Sequence, residues 1–404
     1  MQKILHIADL HLGFEHRYLG PHSAQRAEEA VRTLERLVDW ALDDANEIEA
    51  VLIAGDLFET HDPKARLIGQ VVTTLKKIPA SDRVLVTVPG NHDEYSYPQS
   101  VYRSHERNWP GVLVTNPRPA KVTSFKLNNR NVSIYSMAYT AGLSPRRVTT
   151  LMPPDGETNS AINSGSAEVV KTDKTTDANK PDAAGDEIKI ALLHGTLDAD
   201  PSDRSYRIDS GALRDGGFHY AALGHQHRPS ETRAGDCLAV YPGILCGKGF
   251  NDPGVDRLTV VGFSGNRPVV DQVPFLVRPI ETREIDLGQY QTQEELITDL
   301  LKSEQKNLIL RLELTGPKPA DLDPAHLMGR LQDCYFHLEI DDRSIEISPE
   351  EISRLAHQPT IKGIFTQLMH QRMKESEQDP KQAEINRIAL MKGLTAFETI
   401  RGQR

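Results

Sequence analysis

The sequence predicts a layered α/β core whose second half is rich in β-structure, followed by a small α+β unit and a helical C-terminal region. Three observations predict it. Before residue 150, short apolar runs of strand length alternate with helical patterns. After a strand at 220–223 the pattern is strand and turn until about 280. From 348 onward the apolar repeats have helical spacing.

Taken in order, residues 4–8 read as a buried strand, and residues 24–45 as a helix with Ala27, Ala30, Val31, Leu34, Leu37, Val38 and Ala41 on one face. A second strand at 50–54 precedes a helix near 64–77, and a third at 84–88 is stopped by Pro89-Gly90. Further strands are expected at 131–138, 188–193 and 220–223. Strands at 282–287, 308–314 and 336–340 bracket two helical stretches. Ser348-Pro349-Glu350-Glu351 is a capping box with proline at the first helical position. Asp379-Pro380 opens another helix, with Ile385, Ile388 and Ala389 on one face. On the helix between, Ile361, Ile364, Phe365, Leu368 and Met369 form an apolar stripe that either packs within its own domain or docks a partner. The expected divisions are 1–280, 281–346 and 347–404.

Composition bounds the function. The 404 residues suffice for two or three domains, and 38% hydrophobic with 26% charged residues is the composition of a soluble globular protein. No apolar run reaches the ~18 residues of a spanning helix, and the start is unlike a signal peptide, so no membrane role is expected. Three scattered cysteines exclude a disulfide frame or a thiolate zinc site, and a reducing cytoplasm is the expected location. The net charge of −10 argues weakly against non-specific nucleic-acid binding. However, 151–187, read as a flexible insertion, carries about half of it, since eight acids face three lysines over 151–188.

The residues that follow the strands carry chemistry. Asp9-Leu10-His11, Gly55-Asp56, Gly90-Asn91-His92-Asp93, His194-Gly195 and Gly224-His225-Gln226-His227 each stand at a strand's carboxyl end, where ligands gather in open α/β sheets. Each block alone has a bland account: a turn, a helix cap, a satisfied polar group. Five together point to a dinuclear metal site. Carboxylate, imidazole and amide-oxygen donors without thiolate suit Mn²⁺, Fe or Zn²⁺. Asp56 is the candidate bridge between two ions. Alternation along an extended segment is expected to put Asp9 and His11 on one side, and likewise His225 and His227. Gly55, Gly90, Gly195 and Gly224 are expected to leave room for a ligand.

These five blocks resemble those of the calcineurin-like metallophosphoesterases, over roughly residues 1–265. Within that superfamily, Ile7-Ala8-Asp9-Leu10-His11-Leu12-Gly13 and Gly55-Asp56-Leu57-Phe58 resemble the SbcD-type DNA repair nucleases, the YhaO-like branch in particular. The resemblance implies a four-layer α/β/β/α sandwich with a small α+β capping domain and a helical tail. It implies that one metal takes Asp9, His11, Asp56 and His227, and the other Asp56, Asn91, His194 and His225. His92 would face the phosphate and stabilise or protonate the departing oxygen, with Asp93 orienting it. The implied cofactor is a pair of divalent ions, usually Mn²⁺. The implied partners are DNA, an SMC-like ATPase of the SbcC type contacted by the helical tail, and a second copy of the chain through the 64–77 helix. Glu59 departs from the pattern, since many such nucleases carry His or Asp there.

His16, Arg17, Tyr95 and Tyr97 are secondary candidates for facing or stacking on a substrate, and Lys248 reads as a solvated residue of a hairpin. The leading expectation is a metal-dependent DNA nuclease. The alternatives are a phosphatase or phosphodiesterase for small molecules or phosphoproteins, and a non-catalytic scaffold, against which the complete ligand set argues.

Overall fold

The structure of the protein, a computed structural model, describes residues 1–140, 143–144, 147–152, 187–199, 206–316, 318–319, 321–344, 349–376 and 378–401. Most of the acidic stretch expected as an insertion, residues 153–186, and Ser348 of the capping box lie outside the described residues. The chain divides into two compact units, Met1–Val277 and Arg278–Arg404. The second holds both the 281–346 and the 347–404 regions.

The first unit runs β1 (Lys3–Ile7), α1 (Ser23–Leu42), β2 (Ile48–Ala54), α2 (Ala65–Lys76), β3 (Val84–Val88), α3 (Val101–His105), β4 (Val112–Leu113), β5 (Ala120–Leu127), β6 (Arg130–Ser136) and β7 (Arg147–Val148). It continues through β8 (Glu187–His194), β9 (Thr196–Leu197), β10 (Arg207–Ile208), α4 (Ser210–Asp215), β11 (Tyr220–Gly224), β12 (Ser230–Ala234), β13 (Cys237–Tyr241), β14 (Arg257–Ser264) and β15 (Arg267–Pro274). Two six-stranded sheets form, in the orders β15-β14-β1-β2-β3-β4 and β12-β13-β11-β8-β6-β5. The strands that precede the candidate site residues are parallel neighbours: β1 with β2 (Leu5 opposite Val51), β2 with β3, and β8 with β11 (Leu193 opposite Leu223). Parallel pairing brings their carboxyl ends to a common edge, which is why five sequence-distant turns can meet.

Alternation decides the layers. Ile4 and Ala8, Ala50 and Leu52, and Val86 and Val88 face the second sheet, where Ile190, Leu192, Tyr220 and Ala222 meet them in a fully buried layer. The opposite parity, Leu5, Ile7, Val51 and Ile53, faces α1 and α2 through Leu34, Leu37, Val38, Val71 and Leu75. Each such fully buried aliphatic side chain contributes about 1.5–3 kcal/mol. The outer face of the second sheet, Ala191, Leu193, Ala221 and Leu223, is covered by Leu213 of α4, by Phe218 and by Val148 and Ile208 of the small sheet β7-β10-β9. The expected four-layer α/β/β/α order is therefore present, its last layer thin among the described residues. Among these residues no helix is long and apolar enough to cross a membrane.

Helix α1 ends at Leu42, earlier than 45, because the Asp43 carboxylate accepts from the Ala45 amide (3.0 Å) and starts a separate turn. Its buried face also includes Arg26 and Thr33, which the apolar pattern does not reveal.

The second unit is β16 (Ile280–Asp286), α5 (Gln293–Leu301), β17 (Gln305–Thr315), α6 (Pro324–Leu331), β18 (Tyr335–Asp342), α7 (Pro349–Ala356), α8 (Ile361–Glu375) and α9 (Pro380–Arg401). Its three strands are all parallel, and Leu308, Leu310, Leu312 and Leu314 are fully buried with Leu296, Ile297 and Leu327 of the two connecting helices. Thr292 and Asp323 cap α5 and α6. The stripe on α8 divides: Phe365 and Met369 pack with Leu355, Leu390 and Leu394. Ile361, Ile364 and Leu368 are 77%, 57% and 58% exposed.

Candidate metal centre

Each candidate ligand is delivered by a strand end, but not by simple extension. Asp9, His11, Asp56 and His225 have positive backbone φ (54°, 45°, 50° and 102°), a region that non-glycine residues rarely occupy and that costs on the order of 1–3 kcal/mol each. The expected alternation of Asp9 with His11, and of His225 with His227, is therefore not what aligns them. Sharp turns do, held by main-chain hydrogen bonds from the Asp9 amide to Gly55 O (3.0 Å) and from the His11 amide to Asp56 O (2.9 Å).

The glycines beside them also act differently from expectation. A Cβ at Gly55 would lie 2.2 Å from the His194 ring, and one at Gly90 would lie 2.1 Å from the Asp56 carboxylate. The space is kept for protein ligands, not for a substrate.

All seven expected metal donors come together. The Nε2 atoms of His11 and His227 lie 3.0 Å apart. Glu59 Oε2 lies 2.8 Å from the His11 Nδ1, and the Nδ1 of His227 donates to Asp252 (2.6 Å). With its Nδ1 proton held by Asp252, His227 turns its Nε2 lone pair toward His11. The Nδ1 of His194 donates to Ala54 O (2.9 Å), and its Nε2 faces Asn91 Oδ1 (2.9 Å) and Asp56 Oδ2 (3.4 Å). His225 brings Nδ1 to the same Asn91 oxygen (2.9 Å), while its amide donates to the Asp9 carboxylate (3.0 Å). Asp56 Oδ2 lies between the two groups, 3.8 Å from His11 Nε2 and 3.4 Å from His194 Nε2. Convergent acceptors with their donors turned outward are the arrangement that cations require. Asp9, His11 and His227, Asp9, Asp56 and His194, and His11, Asp56 and His92 form three clusters able to hold an ion.

The electrostatics agree. Burial pushes the Asp9 carboxyl up to about 7, and the nearby Asp56 adds to it. Burial also works to raise Asp56, but His194, His11 and His92 outweigh it and hold that carboxyl well below the usual range. Burial opposes a charge on His194, yet Asp56 and Asp9 raise it to about 9. The residues thus balance buried negative charge with a proton, and a cation bound in its place releases that proton.

His92 sits at the open side, 37% exposed, its ring edge-on to His11 at 4.7 Å. The expected hydrogen bond from Asp93 is not made. Asp93 is fully buried and accepts from the Gly90 amide (2.7 Å), the Phe58 amide (3.0 Å) and the Tyr102 hydroxyl (2.7 Å). It braces the Gly90 turn against the Asp56 loop. The Nδ1 of His92 donates instead to Glu59 O (3.1 Å).

Sequence reasoning missed three contributors. Glu59 stood out as a departure, but not as a contact of His11 and His92. Lys248 is not solvated: it is 17% exposed, pairs with Glu59 at 2.7 Å and lies over the Phe14 ring. Asp252 stands in a turn-like Asn251-Asp252-Pro253-Gly254 run that gives no sign of a histidine partner. Among the secondary candidates, His16 is buried and Arg17 is exposed and paired with Glu15, while the Tyr95 hydroxyl donates to Glu106 (2.8 Å) and Tyr97 stacks on His61.

Comparison with known proteins places this geometry. The chain is similar to the DNA double-strand break repair protein Mre11 of Aeropyrum pernix, 27% identical over 71% of this chain and 64% of that protein, slightly less than two thirds of its length. It is similar to the protein of that name from Sulfolobus acidocaldarius, at 24% identity over 86% of this chain and 84% of that one. It is also similar to the SbcD component of the nuclease SbcCD from Staphylococcus epidermidis, at 21% identity over 93% and 96%. Residues 2–229, which contain every donor named above, match the calcineurin-like phosphoesterase model, and the chain belongs to that family of metal-dependent hydrolases.

Proposed function

We propose that this chain is a Mn²⁺-dependent DNA nuclease of the SbcD type, hydrolysing DNA phosphodiesters together with an SMC-like ATPase of the SbcC type. The observation that carries this reading is the convergence of seven donors on one edge, in a chain that aligns over most of its length with a DNA double-strand break repair protein and with a nuclease component. One ion would be held by Asp9, His11, Asp56 and His227, and the other by Asp56, Asn91, His194 and His225. When bound, two divalent ions supply charge against the phosphate oxygens and a water of lowered pKa.

The protein's own groups supply the rest. Asp56, which would serve both ions, receives the His92 amide on Oδ1 (2.8 Å), which fixes the turn carrying His92. Glu59 O holds His92 by Nδ1 (3.1 Å), leaving Nε2 as the ring atom for a phosphate or leaving oxygen. Asp93 is a structural brace in this scheme.

In this reading residues 281–346 touch DNA, the helical region 347–404 docks the ATPase, and α2 mediates homodimerisation in the cytoplasm. The docking assignment is supported by Ile361, Ile364 and Leu368, apolar and exposed on one helix. Phosphate contacts make DNA binding weaken with added salt.

The test is degradation of labelled duplex DNA with recessed 3′ ends in Mn²⁺, beside hydrolysis of small aryl phosphoesters. DNA is degraded by the wild type, and His92→Ala keeps both ions while kcat falls roughly 10²–10⁴-fold. DNA left intact at every Mn²⁺ concentration, with a small ester turned over well, would instead establish a small-molecule phosphatase or phosphodiesterase.

A further inference from the structure

One short loop stands behind both histidines of one metal position, touching His227 directly and His11 through Glu59. Residues 249–252 close on themselves, Gly249 N donating to Asp252 O (3.3 Å) and Asp252 N to Gly249 O (2.9 Å). From this loop Asp252 accepts the Nδ1 proton of His227 (2.6 Å). One residue before it, Lys248 Nζ pairs with Glu59 Oε2 (2.7 Å), and the same oxygen lies 2.8 Å from the Nδ1 of His11. Lys248 is fixed further by the Phe14 face, 4.5 Å from its Nζ. The other metal position is braced differently: His194 is held by the main-chain carbonyl of Ala54 at the end of β2 (2.9 Å).

We propose that the 247–252 loop is a clamp on one metal position only, setting ion affinity at the Asp9–His11–Asp56–His227 position, through Lys248–Glu59 and Asp252, independently of the other. The inference rests on the ligand partition proposed above. A carboxylate that accepts Nδ1–H fixes the imidazole's tautomer and rotation and makes Nε2 a stronger donor, and losing it typically costs 10–100-fold in metal affinity. Glu59 and Asp252 act through His11 and His227, so they are positioning residues. The departure of Glu59 from the family pattern gains a physical role here: its carboxylate, with Lys248 behind it, orients the His11 ring.

The test is calorimetric titration of Mn²⁺ into the metal-stripped full chain, with electron paramagnetic resonance to separate coupled from isolated ions. The wild type binds two ions. Glu59→Gln and Asp252→Asn each bind one ion as the wild type does and the other about 10–100-fold more weakly, and the coupled signal gives way to that of an isolated ion. Lys248→Met leaves both carboxylates in place and shows a smaller loss at the same ion, which keeps the test available where a carboxamide variant fails to fold. Variants that bind both ions as the wild type does, or that weaken both equally, overturn the clamp. A wild type that binds fewer than two ions overturns the metal reading and the clamp with it. A wild type that binds two ions yet cuts no DNA overturns the nuclease reading alone.

Discussion

The two units place their energetic liabilities in opposite places. The first buries ionisable groups: His6, Asp9, His11, His16, Arg26, Asp56, Asp93, Glu94 and His194 are all buried. Among the described residues of the second, the buried polar side chains are Gln293, Thr366, Ser376 and Asn386, none of which ionises. The second instead gathers exposed apolar side chains on one helix, Ile361, Ile364 and Leu368 of α8, with Leu301 and Ile385 besides, whereas those of the first, Met1, Tyr97, Leu143, Val269 and Leu276, are scattered along the chain. Burying an unpaired charge costs several kcal/mol, and leaving an aliphatic side chain in water forgoes about 1.5–3 kcal/mol. Neither arrangement is one that folding alone favours. The first is what a cation site needs, and the second is what a contact surface needs.

The largest expected effect tests the first half of that contrast. Asp56 stands between both ligand groups, so Asp56→Ala loses both ions in Mn²⁺ titration and drops phosphoester hydrolysis to background. A variant that still binds two ions breaks the comparison, because the buried charge would then have no cation to answer to. A smaller effect sharpens it. His6, at the centre of the same unit, bonds the Tyr220 hydroxyl through Nδ1 (2.9 Å) across the two sheets. Burial lowers its pKa from the ordinary 6.5 to about 3. Between those values the unfolded chain carries a proton on this histidine and the folded chain does not. Stability therefore rises with pH through that window and is lost as pH falls, by at most about 1.4 kcal/mol per pH unit for this one group. Urea unfolding of His6→Gln at pH 5 and pH 7.5 shows a smaller difference between the two pH values than the wild type does. An equal difference means that His6 is not the group responsible.

The fold and the ligands were legible for different reasons. Strand periods and the five polar strand ends are local signals that locate the blocks holding Asp9, His11, Asp56, Asn91, His194, His225 and His227, while the family resemblance singled out Asn91 rather than His92 or Asp93 as a ligand. The contacts behind the ligands are not local. Glu59 reaches Lys248 and His227 reaches Asp252 through tertiary folding, so no spacing announces them. Asp93 shows the reverse error. The family resemblance implied a partnership with His92, but Asp93 meets Gly90, Phe58 and Tyr102 instead. Arg26 was hidden because a helical apolar pattern counts it as solvent-facing, whereas the structure buries it, 3.5 Å from Glu29.

The smallest expected effect on stability belongs to the second unit, and it separates contact surface from core. On α8, Ile364 and Leu368 are 57% and 58% exposed, four residues apart and so on one side of the helix. On α9, Leu390 is fully buried against Leu355 and Met369. Replacing the exposed pair by serine changes unfolding free energy by no more than about 0.5 kcal/mol per site, the range of surface substitutions. Leu390→Ala costs about 2–5 kcal/mol, because it opens a cavity that the neighbouring helices fill incompletely. If these exposed side chains serve a partner, Ile364→Ser with Leu368→Ser abolishes co-purification with the ATPase while metal content and thermal midpoint stay at the wild-type values. A midpoint that falls as far as it does for Leu390→Ala would instead place both residues in the packing of the helical region, and the contrast between the two units would lose its second half.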